Sequence, residues 1–227
     1  MTLTRFGFRE WGSALAAALI LWSGCYVFFR YGYVRTAVVS AAVVLVLFVA
    51  FAAFFRNPRR VLPVDPKLLV SPADGTVRDI EVIDDFQQAP FTGKALRIGI
   101  FLSVLNVHVN RAPAQMTVAE VRYRAGKYLD ARDGNAGKEN EAMTIAGTGR
   151  IEETEFPVAV RQISGAIARR IVCPVKTGRV LKRGEIYGMI KFGSRTEIYL
   201  PVEGFSVNVK VGDKVCGGES VIATMTD

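Results

Sequence analysis

The sequence predicts a mainly β soluble domain, sandwich- or barrel-sandwich-like with few short helices, behind an N-terminal two-helix transmembrane hairpin. Three observations lead there. Two uninterrupted apolar runs fill most of the first sixty residues. Beyond them the chain breaks into short alternating stretches punctuated by glycine and proline, the pattern of strands and turns. A unit of Val-Lys-x-Gly followed by Gly-Glu also occurs twice, at Val175-Lys176 to Gly184-Glu185 and Val209-Lys210 to Gly218-Glu219, offset by 34 residues.

The hairpin, residues 1–60, comes first. Trp11 to Phe29 is apolar or small throughout, and Thr36 to Phe55 gives 20 residues without a charge. A helix of about 20 apolar residues crosses a hydrocarbon core. Helices about 11–29 and 36–55, joined by a turn of about six residues, make a hairpin because a helix in lipid satisfies its own backbone. Trp11, Tyr31 and Tyr33 stand where interfacial aromatics belong. Arg5, Arg9, Arg56, Arg59 and Arg60 flank the pair, against Arg30 and Arg35 in the turn. That bias puts both termini, and the β-rich domain, on the cytoplasmic side of the cell (inner) membrane. The competing reading, a signal peptide followed by a stop-transfer helix, lacks a small-x-small cleavage site.

Charge and cysteines narrow the partners. The formal charge is +8 over 227 residues, but residues 1–60 carry a net +6 and residues 61–227 a net +2. Cations gathered beside apolar runs favour an anionic lipid membrane and not nucleic acid, for which no motif is present. Cys25, Cys173 and Cys216 form no CxxC pair, and His108 is the single histidine. Neither a disulfide framework nor a metal site is expected.

Residues 61–227 form the β-rich domain. Pro58, Pro63 and Pro66 make residues 57–66 an extended linker. Residues 68–71 read as a strand running into the turn Pro72-Ala73-Asp74-Gly75, and residues 76–83 as the next strand. Residues 84–92 read as a polar loop and 96–102 as a buried strand. Residues 104–111 alternate, with Val107 and Val109 on one face and Asn106, His108 and Asn110 on the other. Residues 116–124 read as a strand, 126–149 as a long loop, and 156–163 as a strand. Residues 165–171 read as a short helix capped by Ser164. The Val-Lys-x-Gly units then resemble hairpins of small hammerhead or barrel-sandwich modules.

Near the C-terminus, Ile198, Leu200 and Val202 alternate with Glu197, Tyr199 and Glu203 as a strand, and Met189-Ile190 ends an earlier one. Gly193-Ser194 lies between. Glycine lets the backbone bend and leaves its carbonyl uncrowded, and the next hydroxyl can reach that carbonyl. The pair reads either as a turn built for shape or as a place where serine attacks its own preceding peptide bond. Asp74, His108 and Ser194 could form an Asp-His-Ser set, with aspartate orienting an imidazole that takes the hydroxyl proton. On the residues alone, His108 fits a structural histidine as well.

Five blocks in order then carry a resemblance: Phe55-Arg56-Asn57-Pro58-Arg59-Arg60; Ser71-Pro72-Ala73-Asp74-Gly75; Asn106-Val107-His108-Val109-Asn110-Arg111-Ala112-Pro113; Ile167-Ala168-Arg169-Arg170-Ile171-Val172; and Gly188-Met189-Ile190-Lys191-Phe192-Gly193-Ser194-Arg195-Thr196-Glu197. With the hairpin, they resemble the short, two-helix phosphatidylserine decarboxylases. The resemblance implies self-cleavage between Gly193 and Ser194, assisted by Asp74 and His108, into chains 1–193 and 194–227 that stay together. It implies that Ser194 becomes a pyruvoyl group, the electron sink that pyridoxal phosphate (PLP) supplies elsewhere, with no metal and no PLP. The substrate implied is phosphatidylserine and the product phosphatidylethanolamine, a step of phospholipid biosynthesis. Lys191 and Arg195 flank the cut and are candidates for the phosphodiester. Longer members carry a second histidine where this chain has Leu105, so His108 or water must serve in its place. Two alternatives stand beside this reading: a membrane-anchored hammerhead or barrel-sandwich adaptor or carrier without catalysis, and a decarboxylase of a related serine phospholipid. A carrier needs a modifiable lysine at a hairpin tip, for which Lys214 is a poor substitute. Higher oligomers stay open.

Overall fold

A computed structural model describes residues 2–133, 135–166, 170–191 and 193–226. The chain divides into two compact units, Met1–Arg59 and Arg60–Asp227.

The first unit is the helical hairpin. Helices Phe8–Arg30 and Val34–Phe54 are both long and apolar enough to cross a membrane. They extend toward each other further than expected, so residues 31–33 replace the turn of about six, with Gly32 at φ +87° making the reversal. Trp22 Nε1 donates to Ala41 O at 3.1 Å and ties the helices together. Leu19, Ile20, Leu21, Val38, Val39, Val46 and Leu47 are all exposed. Apolar surface of that extent calls for lipid around it. At the open end Thr2–Leu3 pairs antiparallel with Arg56–Asn57.

The second unit is built on an eight-stranded antiparallel sheet. Its spatial order is Val180–Leu181, Gln115–Arg124, Ala142–Ile151, Thr154–Ser164, Ser194–Leu200, Phe91–Leu102, Gly75–Gln88 and Lys214–Val215. Two three-stranded sheets accompany it. One runs Ile171–Val172, Ile186–Ile190, Val109–Arg111; the other Phe205–Val207, Val221–Met225, Leu68–Val70. Leu69, Val77, Ile98, Ile100, Met116, Val118, Val160, Tyr187, Ile198, Leu200 and Ile222 form the main core. A smaller cluster around Tyr199, Phe86 and Phe91 covers the other face.

The 34-residue repeat has a structural counterpart. Gly178 N–H donates to Val118 O at 2.8 Å, and Val118 N–H to Arg179 O at 2.9 Å. In the second copy Gly212 N–H donates to Val77 O, and Val77 N–H to Asp213 O, both at 2.9 Å. The docking strands themselves repeat: Pro72-Ala73 with Thr76-Val77, and Pro113-Ala114 with Thr117-Val118. Gly178, Gly184, Gly212 and Gly218 all have positive φ, +84°, +76°, +99° and +83°, a left-handed conformation that glycine adopts without strain. Two similar halves thus interlock, each turn seated on its own Pro-Ala-x-x-Thr-Val strand.

Several local expectations are corrected. Residues 84–92 are not a loop: strands Gly75–Gln88 and Phe91–Leu102 stay paired out to Gln88↔Phe91. Phe86 explains it, stacking on Tyr199 with ring centroids 4.2 Å apart. The expected loop at 126–149 ends early, because Ala142–Ile151 is an interior strand between Gln115–Arg124 and Thr154–Ser164. Its composition misled because close packing there needs small residues; a Cβ at Gly147 would come 2.0 Å from Thr117 O. Only Val109–Arg111 of residues 104–111 is a strand, since Asn106 Oδ1 closes a turn by accepting from Ser103 N–H at 2.8 Å and Ser103 Oγ at 2.7 Å. Ser164 ends the Thr154–Ser164 strand, and Ile171–Val172 is itself a strand. The centre of the expected helix, residues 167–169, lies outside the described residues, as does that part of the fourth sequence block.

Candidate active site

The site is built on the Ser194–Leu200 strand, which lies between Thr154–Ser164 and Phe91–Leu102. Alternation puts Ser194, Thr196, Ile198 and Leu200 on the core side, and Arg195, Glu197 and Tyr199 on the other. Ser194 is fully buried, and its Oγ has no hydrogen-bond partner among the described residues. Such a hydroxyl is destabilising unless it is kept for chemistry. Gly193 precedes it at φ +66°, with nothing within 4 Å of where a Cβ would stand. Glycine is therefore required there by the left-handed backbone and not by lack of room.

His108 meets this dipeptide. Gly193 N–H donates to His108 Nε2 at 3.3 Å, and His108 Nδ1 lies 2.9 Å from Asn106 O. A carbonyl can only accept, so Nδ1 carries the proton and Nε2 presents its lone pair. The fully buried imidazole is thereby set as a neutral base beside the Gly193–Ser194 bond. A buried amide chain holds it in place. Asn110, two residues on, donates from Nδ2 to Thr196 Oγ1 at 2.9 Å and accepts from Gln162 Nε2 at 2.8 Å. Thr196 stands two residues after Ser194 on the same face, so this chain fixes the His108 segment against the Ser194 strand.

Asp74 is held by Arg60 and a turn. Arg60 Nη2 donates to its Oδ1 at 2.8 Å and Oδ2 at 2.6 Å, and Gly217 N–H to Oδ1 at 2.7 Å. Of the anticipated Asp-His-Ser set, the structure assembles the histidine with Gly193-Ser194; a main-chain carbonyl, that of Asn106, orients the imidazole where a carboxylate was expected.

Arg195 faces away from Ser194 into a buried ion network. It donates to Asp79 Oδ1 at 2.6 Å and Glu197 Oε1 at 2.9 Å. Arg97 lies 3.2 Å from Asp79 and 3.7 Å from Glu197. Burial alone would lower the affinity of Arg195 for its proton, but the two carboxylates outweigh it and push its pKa up. Burial would raise the Asp79 carboxyl, yet Arg195 and Arg97 hold it below the usual range. Lys191 is buried, with its N–H donating to Arg170 O at 3.1 Å. Leu105 is 85% exposed. Lys214 pairs with Thr76 inside a strand and stands at no hairpin tip. Among the described residues no cluster of three or more His, Cys, Asp or Glu could hold a metal.

Sequence reasoning missed Gln162, Thr196, Ser164 and Gly165 as neighbours of the dipeptide. Their signal was the register of Thr154–Ser164 against Ser194–Leu200, which no local pattern reveals.

A sequence model of the phosphatidylserine decarboxylase family matches residues 47–223. The chain is 49% identical over 178 residues to the phosphatidylserine decarboxylase proenzyme of Carboxydothermus hydrogenoformans, covering 78% of this chain and 80% of that one. It is 47% identical over 190 residues to the phosphatidylserine decarboxylase proenzyme of Rhodopirellula baltica, covering 80% and 75%. It is 45% identical over 187 residues to that of Trichlorobacter lovleyi, covering 82% of each. With a match this long, on a fold that sets Gly193-Ser194 against the single histidine, the chain belongs to the phosphatidylserine decarboxylase family.

Proposed function

We propose that the chain is a self-processing, pyruvoyl-dependent decarboxylase that converts phosphatidylserine to phosphatidylethanolamine at a membrane. The observation that carries this reading is the buried, unpartnered Ser194 hydroxyl, one residue from the Gly193 N–H that His108 Nε2 accepts. The relatives named as proenzymes support a chain that matures by cleavage.

In the uncut chain the Ser194 hydroxyl attacks the Gly193 carbonyl carbon and passes its proton to His108 Nε2. The C–N bond breaks as His108 returns that proton to the Ser194 nitrogen, leaving residues 1–193 as an ester on Ser194 Oγ. Loss of the Ser194 α-proton expels the long chain's carboxylate, and hydrolysis releases ammonia. Residues 1–193 and 194–227 remain as a pair, and the new N-terminus carries a ketone. The residues fit that group: Ser194 supplies its atoms, and its full burial keeps them from bulk water. When formed, the pyruvoyl group draws electrons from the substrate's α-carbon as carbon dioxide leaves. Lys191 and Arg195 flank the cut and are the candidates for the substrate phosphodiester, Arg195 already bonded to Asp79 and Glu197. Helices Phe8–Arg30 and Val34–Phe54 hold the chain in the bilayer, with the arginine bias putting the catalytic unit on the cytoplasmic side of the cell membrane.

A denaturing gel with intact-mass measurement tests the reading. Mature protein runs as two pieces that break before residue 194, and the small one lacks an N-terminal amine. A single unmodified chain that leaves phosphatidylserine unchanged overturns it.

A further inference from the structure

The end of the Thr154–Ser164 strand carries features that a structural role alone leaves unexplained. Ser164 is fully buried, and its Oγ, like that of Ser194, has no hydrogen-bond partner among the described residues. The antiparallel register sets Ser164 directly opposite Ser194, which turns both side chains to one face at neighbouring distance. Gly165 follows, and a Cβ on it would stand 2.5 Å from Gly193 O and 3.2 Å from Ala131 Cβ. The carbonyl of the Gly193–Ser194 bond therefore rests against a bare α-carbon. The Ser164 backbone is pinned on both sides: its N–H donates to Glu141 O at 3.0 Å, and its carbonyl accepts from Asn140 Nδ2 at 2.8 Å.

We propose that Ser164 and Gly165 are positioning residues that complete the cleavage site, an inference that rests on Gly193–Ser194 being the bond cut. A hydroxyl offers one donor and two acceptor sites. As the attack begins, Ser164 turns its proton to the Ser194 oxygen, a contact not made in the resting structure, which leaves the Ser194 proton for His108 and aims a free lone pair at the Gly193 carbonyl. Gly165 leaves the space into which that carbonyl oxygen moves as its carbon becomes tetrahedral.

The test follows maturation of the full chain in detergent or liposomes. Ser164→Ala is expected to mature about tenfold more slowly, the loss of one well-placed hydrogen bond. Ser164→Thr keeps the hydroxyl and is expected to restore the rate, with all three chains melting together. Gly165→Ala is expected to stay uncut. Wild-type rates in Ser164→Ala overturn the proposal, and so does a Ser164→Thr chain no faster than Ser164→Ala, which would make the site a matter of packing. A wild-type chain uncut in the same gel sinks the cleavage reading itself.

Discussion

His108 accepts the Gly193 N–H at Nε2, 3.3 Å away, while its Nδ1 is held 2.9 Å from Asn106 O. The imidazole thus touches the dipeptide with its basic nitrogen. Removing that base in His108→Ala is expected to slow maturation by roughly 10²- to 10⁴-fold, the usual contribution of a positioned general base. Pulse-labelled chains followed on a denaturing gel read the rate. Normal maturation of the variant would remove His108 from the first step.

Ser194→Ala has no nucleophile, so it is expected to remain one chain of full length and to be inactive. The fold should survive, since the lost hydroxyl makes no hydrogen bond among the described residues. Intact mass and a thermal melt check both halves of the statement.

Asn110→Ala breaks two buried hydrogen bonds, to Thr196 at 2.9 Å and from Gln162 at 2.8 Å. Orphaning buried partners costs about 1–3 kcal/mol each. The melting temperature is expected to fall, and maturation to slow beyond what the lost stability explains. An unchanged cleavage rate at a temperature where the variant is folded would show that His108 needs no such tether.

Asp79→Asn leaves Arg195 buried with one carboxylate in place of two. Hydrogen bonds to charged groups contribute about 1.5–3 kcal/mol, so a melting temperature lower by several degrees is expected. The pH dependence has a definite sign. Folding depresses the Asp79 pKa below 3.8, so its contribution is present above that value and is lost as pH falls through the lower, folded one. The stability gap between wild type and Asp79→Asn should be full at neutral pH and close only below about pH 4. A gap independent of pH would show that the ion network is not its source.

A ketone at residue 194 predicts inactivation by phenylhydrazine, with the reagent's mass found on the short chain only. Ser194→Ala should take up none. Labelling of the long chain alone would place the reactive carbonyl elsewhere.

The hairpin and the strand-rich character of the second unit were legible because composition and alternation are local. So was the dipeptide, since Gly193-Ser194 interrupts an apolar pattern and His108 is the single histidine. The partners of those residues were not. Asp74 was grouped with His108 by chemistry and by the resemblance, and its contact with Arg60 of the linker had no local signal. Arg195 was read as a candidate for the substrate phosphodiester because the carboxylate that engages it, Asp79, lies 116 residues away in sequence. Phe86 turned an apparent loop into a strand through a ring contact with Tyr199 that only tertiary packing supplies.

The Ser194–Leu200 strand is hydrogen-bonded on both flanks, to Phe91–Leu102 and to Thr154–Ser164. Severing the backbone just ahead of it removes none of those rungs and frees neither Arg195 from Asp79 nor Thr196 from Asn110. A thirty-four-residue fragment cut there would be captive, lodged at the heart of its parent, and only denaturant should pry the two apart.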